Sequence, residues 1–446
     1  MKKNVLTFLL FGIFISSVEA QVSQSPECID YDPTRYPLKI SGIYQNGVGP
    51  QDVWFNWNTL WNFSNPLKQT RVTSINIGNT GLFRGLMQYL PASYNLPANA
   101  TKKYPVIIYF HGGASIGDGS FAQLCRLFKD RGTDLQTHVS IPGRVERNTE
   151  LFTQTYLGET HEYIVISPQF SAYTRLHPTL PDNFPTADHI EDVIDYVEQN
   201  YRIDPRRIYL TGFSNGANMI SEYAASSVAR AKRIAALMPV ALCSRIDHPD
   251  NTSRGYNATY IGQAKLKTWF VYCEVDNCGE SGSDYDAPVN WVNTIKSVSG
   301  NEPPRFTVLK NLNPPTLYNC SDTLTHDAWS RAYNPEFKAS FVNGTGANDG
   351  INLNAYEWFA RAQSAVLPVI LQSYSARLID DRVEINWTTS DEKDNKSFTI
   401  ERAGKDQKFK PIGTVPGAIN NTGNKDYLFI DNEPLGDLSY YRLVQN

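Results

Sequence analysis

The sequence predicts a doubly wound α/β domain with a mostly parallel sheet, followed by a small all-β sandwich of immunoglobulin type. Three observations predict this. Short continuous apolar runs recur between residues 86 and 309. Stretches with helical periodicity lie between them. After Ala365 the pattern changes to short segments of alternating polarity, with no helical stretch among them.

Each element has its own signal. Continuous apolar runs suit strands that are buried on both faces. Leu86–Leu90, ended by Pro91, is the first such strand, and Val106–Phe110 the next. Tyr163–Ser167, Arg207–Thr211, Ile234–Val240, Thr268–Tyr272 and Phe306–Leu309 follow. Between them, Thr186–Tyr201 carries Ile190, Val193, Ile194 and Val197 at helical spacing. Asn215–Val228 and Asn354–Gln363 complete the helices. Beyond Leu367-Pro368 the expected strands are Val369–Leu378, Val383–Trp387, Phe398–Arg402, Ile412–Val415, Tyr427–Ile430 and Leu438–Leu443. Turns at Asp380-Asp381, Asn420-Asn421 and Leu435-Gly436-Asp437 separate them, which is the grammar of a sandwich. The boundaries are therefore a leader at 1–20, an irregular or short-stranded extension at 21–70, the α/β domain at 71–365 and the sandwich at 367–446.

Composition excludes several classes. With 446 residues, 41% hydrophobic and 19% charged, the chain can bury large cores and is not broadly disordered. Lys+Arg 41 against Asp+Glu 45, with no block of like charge, argues against nucleic-acid partners and a polybasic membrane surface. Met1-Lys2-Lys3, an apolar run from Val5 to Ile15 and the small-residue exit at Ala20 form a secretory signal. That run is too short to span a bilayer, so no membrane insertion is expected and the mature chain is secreted or periplasmic. The six cysteines of an exported chain favour disulfides, with 15 possible pairings that sequence does not resolve. Zinc is disfavoured, because Cys273 and Cys278 have no second close pair or His partner. Neither a metal nor a cofactor is expected.

The sharpest motif is Gly212-Phe213-Ser214-Asn215-Gly216, between the Arg207–Thr211 strand and a helical stretch. Alone, G-x-S-x-G is a weak signal and competes with an ordinary Gly/Ser turn. In a strand–turn–helix setting it presents the serine hydroxyl above a sheet as a nucleophile. In such elbows the partners follow in the order Ser, Asp/Glu, His. Of seven His, only His248 and His326 follow Ser214. His326 lies in the loop beyond the last apolar run, where a base is delivered; His248 reads as a surface loop residue. Ten acidic residues lie between Ser214 and His326, so position decides. Asp276 follows directly on the Thr268–Tyr272 strand and is preferred over Glu274, Asp284 and Asp286. Cys273 and Cys278 flank it, so a disulfide there would stiffen its loop. The oxyanion requires backbone N–H donors. Asn215 is one, and Gly113 or Ala114 of His111-Gly112-Gly113-Ala114 is the other. His111 precedes the serine and reads as structural. For substrate contact, Tyr173 and Arg175 in the stretch 171–185 are candidates, together with Trp329. Trp329 either stacks on a sugar or phenolic acyl group or packs beneath the loop.

Residues 84–91, 104–113 and 204–217, with His326-Asp327-Ala328-Trp329, resemble the polyhydroxybutyrate-depolymerase-like and feruloyl-esterase-like branch of the α/β-hydrolases. Prolyl-oligopeptidase-like hydrolases share the same pieces. The resemblance covers residues 71–363. Where many relatives end the acid strand in His-Gly, Tyr272-Cys273 stands here. Leu367-Pro368-Val369, Ile385–Thr388, Phe398–Arg402 and Tyr440–Leu443 resemble the fibronectin-type-III-like module near the C-terminus of type IX-secreted proteins.

Together these imply a secreted serine hydrolase that cleaves carboxylic esters through an acyl-enzyme, on feruloyl or acetyl groups of polysaccharides. The alternatives are a prolyl-oligopeptidase-like peptidase, which the lack of a propeller-like repeat disfavours, and a non-catalytic carbohydrate-binding surface protein.

Overall fold

The computed structural model describes residues 38–45, 48–55, 67–121, 123–128, 140–171, 185–247, 249–276, 286–301, 303–311, 319–320, 326, 328–338, 353–364, 370–405, 409–436 and 438–445. The chain divides into two compact units between Ser364 and Ala365.

In the larger unit, β1 (Leu38–Gln45) and β2 (Val48–Phe55) form an antiparallel hairpin. The central sheet contains β3 (Thr70–Val72), β4 (Phe83–Tyr89) and β5 (Tyr104–Phe110). A separate hairpin, β6 (Thr153–Tyr156) and β7 (Glu159–Glu162), turns through Leu157 and Gly158, both at positive φ. The sheet continues with β8 (Ile164–Phe170), β9 (Ile203–Phe213), β10 (Ala236–Val240), β11 (Lys267–Cys273), β12 (Arg305–Asn311) and β13 (Asn319–Cys320). Its order is β13-β12-β11-β10-β9-β5-β8-β4-β3. All pairings from β13 to β8 are parallel, and β4 and β3 are antiparallel. This is the mixed, mostly parallel α/β sheet that the apolar runs predict.

Alternation explains the two cores. Successive side chains of a strand point to opposite faces. Val106, Ile108 and Phe110 of β5 pack on one face with the helices Ala187–Asn200 and Asn215–Ser226. Ile107 and Tyr109 pack on the other, with Ile141 and Val145, Tyr333, and Phe359 of the helix Ala355–Ala360. Among the described residues no helix is long and apolar enough to cross a membrane.

The smaller unit contains β14 (Ile370–Ile379), β15 (Arg382–Ala403), β16 (Lys410–Asp431) and β17 (Tyr440–Gln445) in one antiparallel sheet. Here the structure corrects the strand count. The expected strands 383–387 and 398–402 are both parts of β15, and 412–415 and 427–430 are parts of β16; the expected turn at Asn420-Asn421 lies inside β16. The pairing continues through register shifts between Thr389 and Ser397. There the buried Glu392 carboxylate accepts from Thr389 Oγ1 (2.6 Å), Asn395 Nδ2 (2.6 Å), the Ala418 amide (2.9 Å) and the Tyr427 hydroxyl. Those bonds satisfy the polar groups that a bulge would otherwise strand. Trp387 meets Phe398 edge-on at 5.3 Å, so the two ends of β15 share one small core.

Candidate active site

Ser214 sits between the end of β9 and the first residue of the 215–226 helix, with φ 55° and ψ −117°. Positive φ is uncommon outside glycine and is retained only where surrounding structure enforces it. Two restraints are visible. The Ser214 amide donates to Val240 O on neighbouring β10 (3.0 Å), and the Ser214 carbonyl accepts from Asn218 N (3.1 Å). The flanking glycines are dictated by space: a Cβ on Gly216 would collide with the Phe110 carbonyl oxygen at the end of β5. One on Gly112 would lie 2.7 Å from the Phe213 ring and 3.4 Å from Ser214 Cβ. The loop after β5 therefore lies directly beside the serine.

That loop presents backbone donors. Gly113–Ser115 form a single helical turn, in which the Ser115 amide donates to Gly112 O (3.1 Å). The Gly113 and Ala114 amides precede that bond and have no partner within the turn, as at any helix start. Asn215 stands at the equivalent place on its own helix. His111, which opens the loop, is buried and stacks on Phe170 at 3.9 Å. Its Nδ1 is 2.7 Å from Gly112 O, and its Nε2 accepts from Phe170 N–H (3.1 Å). A carbonyl can only accept, so the proton is on Nδ1. Burial, only partly offset by the Gly112 bond, pushes the His111 pKa down to about 3, which keeps the ring neutral.

Asp276 is buried just beyond β11. Its backbone is anchored nearby: the Val275 amide donates to Asn311 Oδ1 (2.7 Å), and Glu274 N donates to Leu309 O (2.6 Å). Asp276 Oδ1 is 2.7 Å from His326 Nδ1. The carboxylate accepts from Nδ1–H, which leaves the Nε2 lone pair for chemistry. Nε2 has no hydrogen-bond partner among the described residues. The His326 ring lies 4.8 Å from the Phe213 ring, beside Ser214. The paired Asp276 and His326, from the segments after β11 and β13, thus lie against the residue that precedes Ser214 at the end of β9. The alternative acid Glu274 faces Lys310 Nζ at 2.5 Å. Asp284 and His248 lie outside the described residues, and Asp286 opens the helix Asp286–Lys296.

One expectation is corrected, and one of two open readings is favoured. Cys273 pairs with Cys320 and not across Asp276 to Cys278, because parallel β11, β12 and β13 bring those strand ends within 5.8 Å (Cα–Cα). The cross-link joins the strand before Asp276 to the strand before His326. Cys125 and Cys243 are also disulfide-bonded, and no described cysteine is free. Trp329 is 4% exposed and stacks on Phe213 at 4.3 Å, so it packs beneath the loop and offers no open face to a sugar. Tyr173 and Arg175 lie outside the described residues. Sequence reasoning missed Asn218, whose side chain accepts from Cys243 N (3.1 Å) and Ser244 N (3.2 Å), and Gln169, which braces the loop after β5. Their signal, an amide inside an apolar stretch, is common in ordinary cores. Among the described residues no cluster of His, Cys, Asp and Glu could hold a metal.

No family model and no curated protein matches the chain. Solved structures do resemble it. A fluorophosphonate-binding serine hydrolase F of Staphylococcus aureus is 14% identical, with TM-score 0.35 over 56% of this chain and 93% of that one. Apo esterase 2 of Thermogutta terrifontis is 14% identical, with TM-score 0.32 over 55% and 83%. Dipeptidyl peptidase 4 of Porphyromonas gingivalis is 13% identical, with TM-score 0.34 over 55% and 32%. At similarities this low, the functional reading rests on this chain's own residues.

Proposed function

We propose that the protein is a serine hydrolase that cleaves carboxylic esters through an acyl-enzyme. The observation that carries this is the strained Ser214 elbow, beside which Phe213 packs against a histidine held by a buried aspartate. In this reading His326 Nε2 takes the Ser214 proton as Oγ attacks the ester carbonyl. The tetrahedral oxyanion is held by the Asn215 amide and by the Gly113 or Ala114 amide. Its collapse breaks the bond to the alcohol oxygen, which leaves with the proton from His326. Water then repeats the sequence and releases the acid.

Feruloyl or acetyl groups on polysaccharides are the proposed substrates, supported by the sequence resemblance of residues 71–363. Tyr173 and Arg175 are the proposed contacts. Export is supported by the Met1–Ala20 pattern and by buried disulfide bonding, which persists in oxidising compartments. The immunoglobulin-like, fibronectin-type-III-like character of the smaller unit is supported by its antiparallel sheet and shared Trp387–Phe398 core.

The test is turnover of 4-nitrophenyl acetate, methyl ferulate and an acetylated xylo-oligosaccharide by the wild type and Ser214→Ala. Ester turnover that Ser214→Ala abolishes is expected. Equal inactivity of both proteins on every ester refutes the reading, and peptide cleavage and glycan binding are then assayed.

A further inference from the structure

The loop after β5 owes its shape to one residue of β8 that has no place in the chemistry above. Gln169 is fully buried (0% exposed). Its Nε2 donates to Ser115 O (2.9 Å) and to Gln123 O (2.8 Å), and its Oε1 accepts from the Gly119 amide (3.1 Å). Both N–H groups and the carbonyl are therefore spent on main-chain groups at the end of the Gly113–Ser115 turn and in the segment that follows it. The contact is close: a Cβ on Gly117 would fall 2.6 Å from the Gln169 amide, so the loop lies flat against it. The next residue continues the brace. The Phe170 carbonyl accepts from Gly117 N (3.2 Å), and the Phe170 amide bonds His111, which in turn bonds Gly112 O. Two adjacent residues at the end of β8 thus fix both ends of the turn.

We propose that Gln169 is a positioning residue that holds the Gly113 and Ala114 amides in register with Ser214. The role rests on the serine-hydrolase reading. Oxyanion donors act only when fixed before charge develops, because a donor that must move adds reorganisation to the barrier. A mobile turn still admits the substrate, so the loss falls on the transition state and not on ground-state binding.

Gln169→Met keeps the volume and removes all three hydrogen bonds; Gln169→Glu keeps an acceptor for Gly119 and loses the donors. Both are compared with the wild type for kcat and KM on 4-nitrophenyl acetate, for affinity to an alkyl boronic acid that mimics the tetrahedral intermediate, and for Tm. Since loss of a whole oxyanion donor costs roughly 10²–10³-fold in kcat, a displaced one is expected to cost about 10–10²-fold. KM should stay within about twofold, and boronate affinity should fall in parallel with kcat. A merely structural role lowers Tm and leaves kcat and boronate affinity at wild-type values; that result, in either folded variant, overturns the proposal. Failure of the underlying reading shows differently: the wild type itself neither hydrolyses the ester nor binds the boronate, and the positioning role falls with it.

Discussion

Removing the Cys273–Cys320 cross-link tests whether it holds the acid and base together. The perturbation is the double variant Cys273→Ala/Cys320→Ala, which leaves the other disulfides intact. The bridge closes a loop of sequence separation 47. The chain-entropy relation, −2.1 − 1.5R ln n, then gives about 4 kcal/mol at 25 °C, lost because the unfolded chain regains freedom. Both sulfurs are fully buried, so truncation adds roughly 1 kcal/mol for lost packing. The assay is urea unfolding followed by tryptophan fluorescence, which the buried Trp269, Trp291 and Trp358 report. A fall in unfolding free energy of about 4–5 kcal/mol is expected, with a higher m-value because the denatured chain is less compact without the bridge. Under native conditions kcat/KM should fall by roughly 10²-fold, because a displacement of about 1 Å between acid and base has that effect. A stability loss below about 1 kcal/mol with wild-type kcat/KM would refute the reasoning, since the bridge would then constrain neither unfolded chain nor site.

Three further outcomes follow from the geometry. Asp276→Asn should fold and lose roughly 10⁴-fold in kcat, because an amide favours the wrong His326 tautomer; steady-state kinetics beside a circular dichroism spectrum check this. Gly216→Ala should lower the yield of folded protein and abolish activity, because its Cβ meets the Phe110 carbonyl; soluble expression and esterase assay decide. His111 gives the larger unit an acid liability: its folded pKa of about 3 lies below the ordinary 6.5, so as pH falls the unfolded chain binds the proton first. Its contribution is complete above about pH 6.5 and is lost progressively towards pH 3, by about 2 kcal/mol at pH 5. Urea midpoints at pH 7 and 5 should differ less in His111→Asn than in the wild type.

The parts of the fold legible in the sequence are those fixed by local chemistry. β5 reads as a run of apolar residues because helices cover both faces of the sheet, and the elbow reads from Gly212 and Gly216 because nothing larger fits there. Asp276 and His326 are singled out by chain order and by their places after the apolar runs 268–272 and 306–309, and the structure pairs their side chains at 2.7 Å. What stayed hidden depends on contacts distant in sequence. The Cys273–Cys320 pair is set by the stacking of three parallel strands, and no spacing rule anticipates it. Gln169 looks like any strand glutamine until the loop folds over it. Trp329 offered two readings, and Phe213, whose ring occupies its face, decides between them. In the smaller unit, the polar stretch 388–397 separates two expected strands, yet hydrogen bonds to Glu392 carry β15 through without a break.

The central claim is that Ser214 is a nucleophile activated by His326. Its most direct measurement is intact-mass and peptide mapping after exposure to an alkyl fluorophosphonate, which is attacked by activated serines and loses fluoride. The account predicts one adduct, on Ser214, absent in Ser214→Ala and formed far more slowly in His326→Ala. An unmodified wild-type protein, or an adduct on another residue that persists in Ser214→Ala, would contradict it.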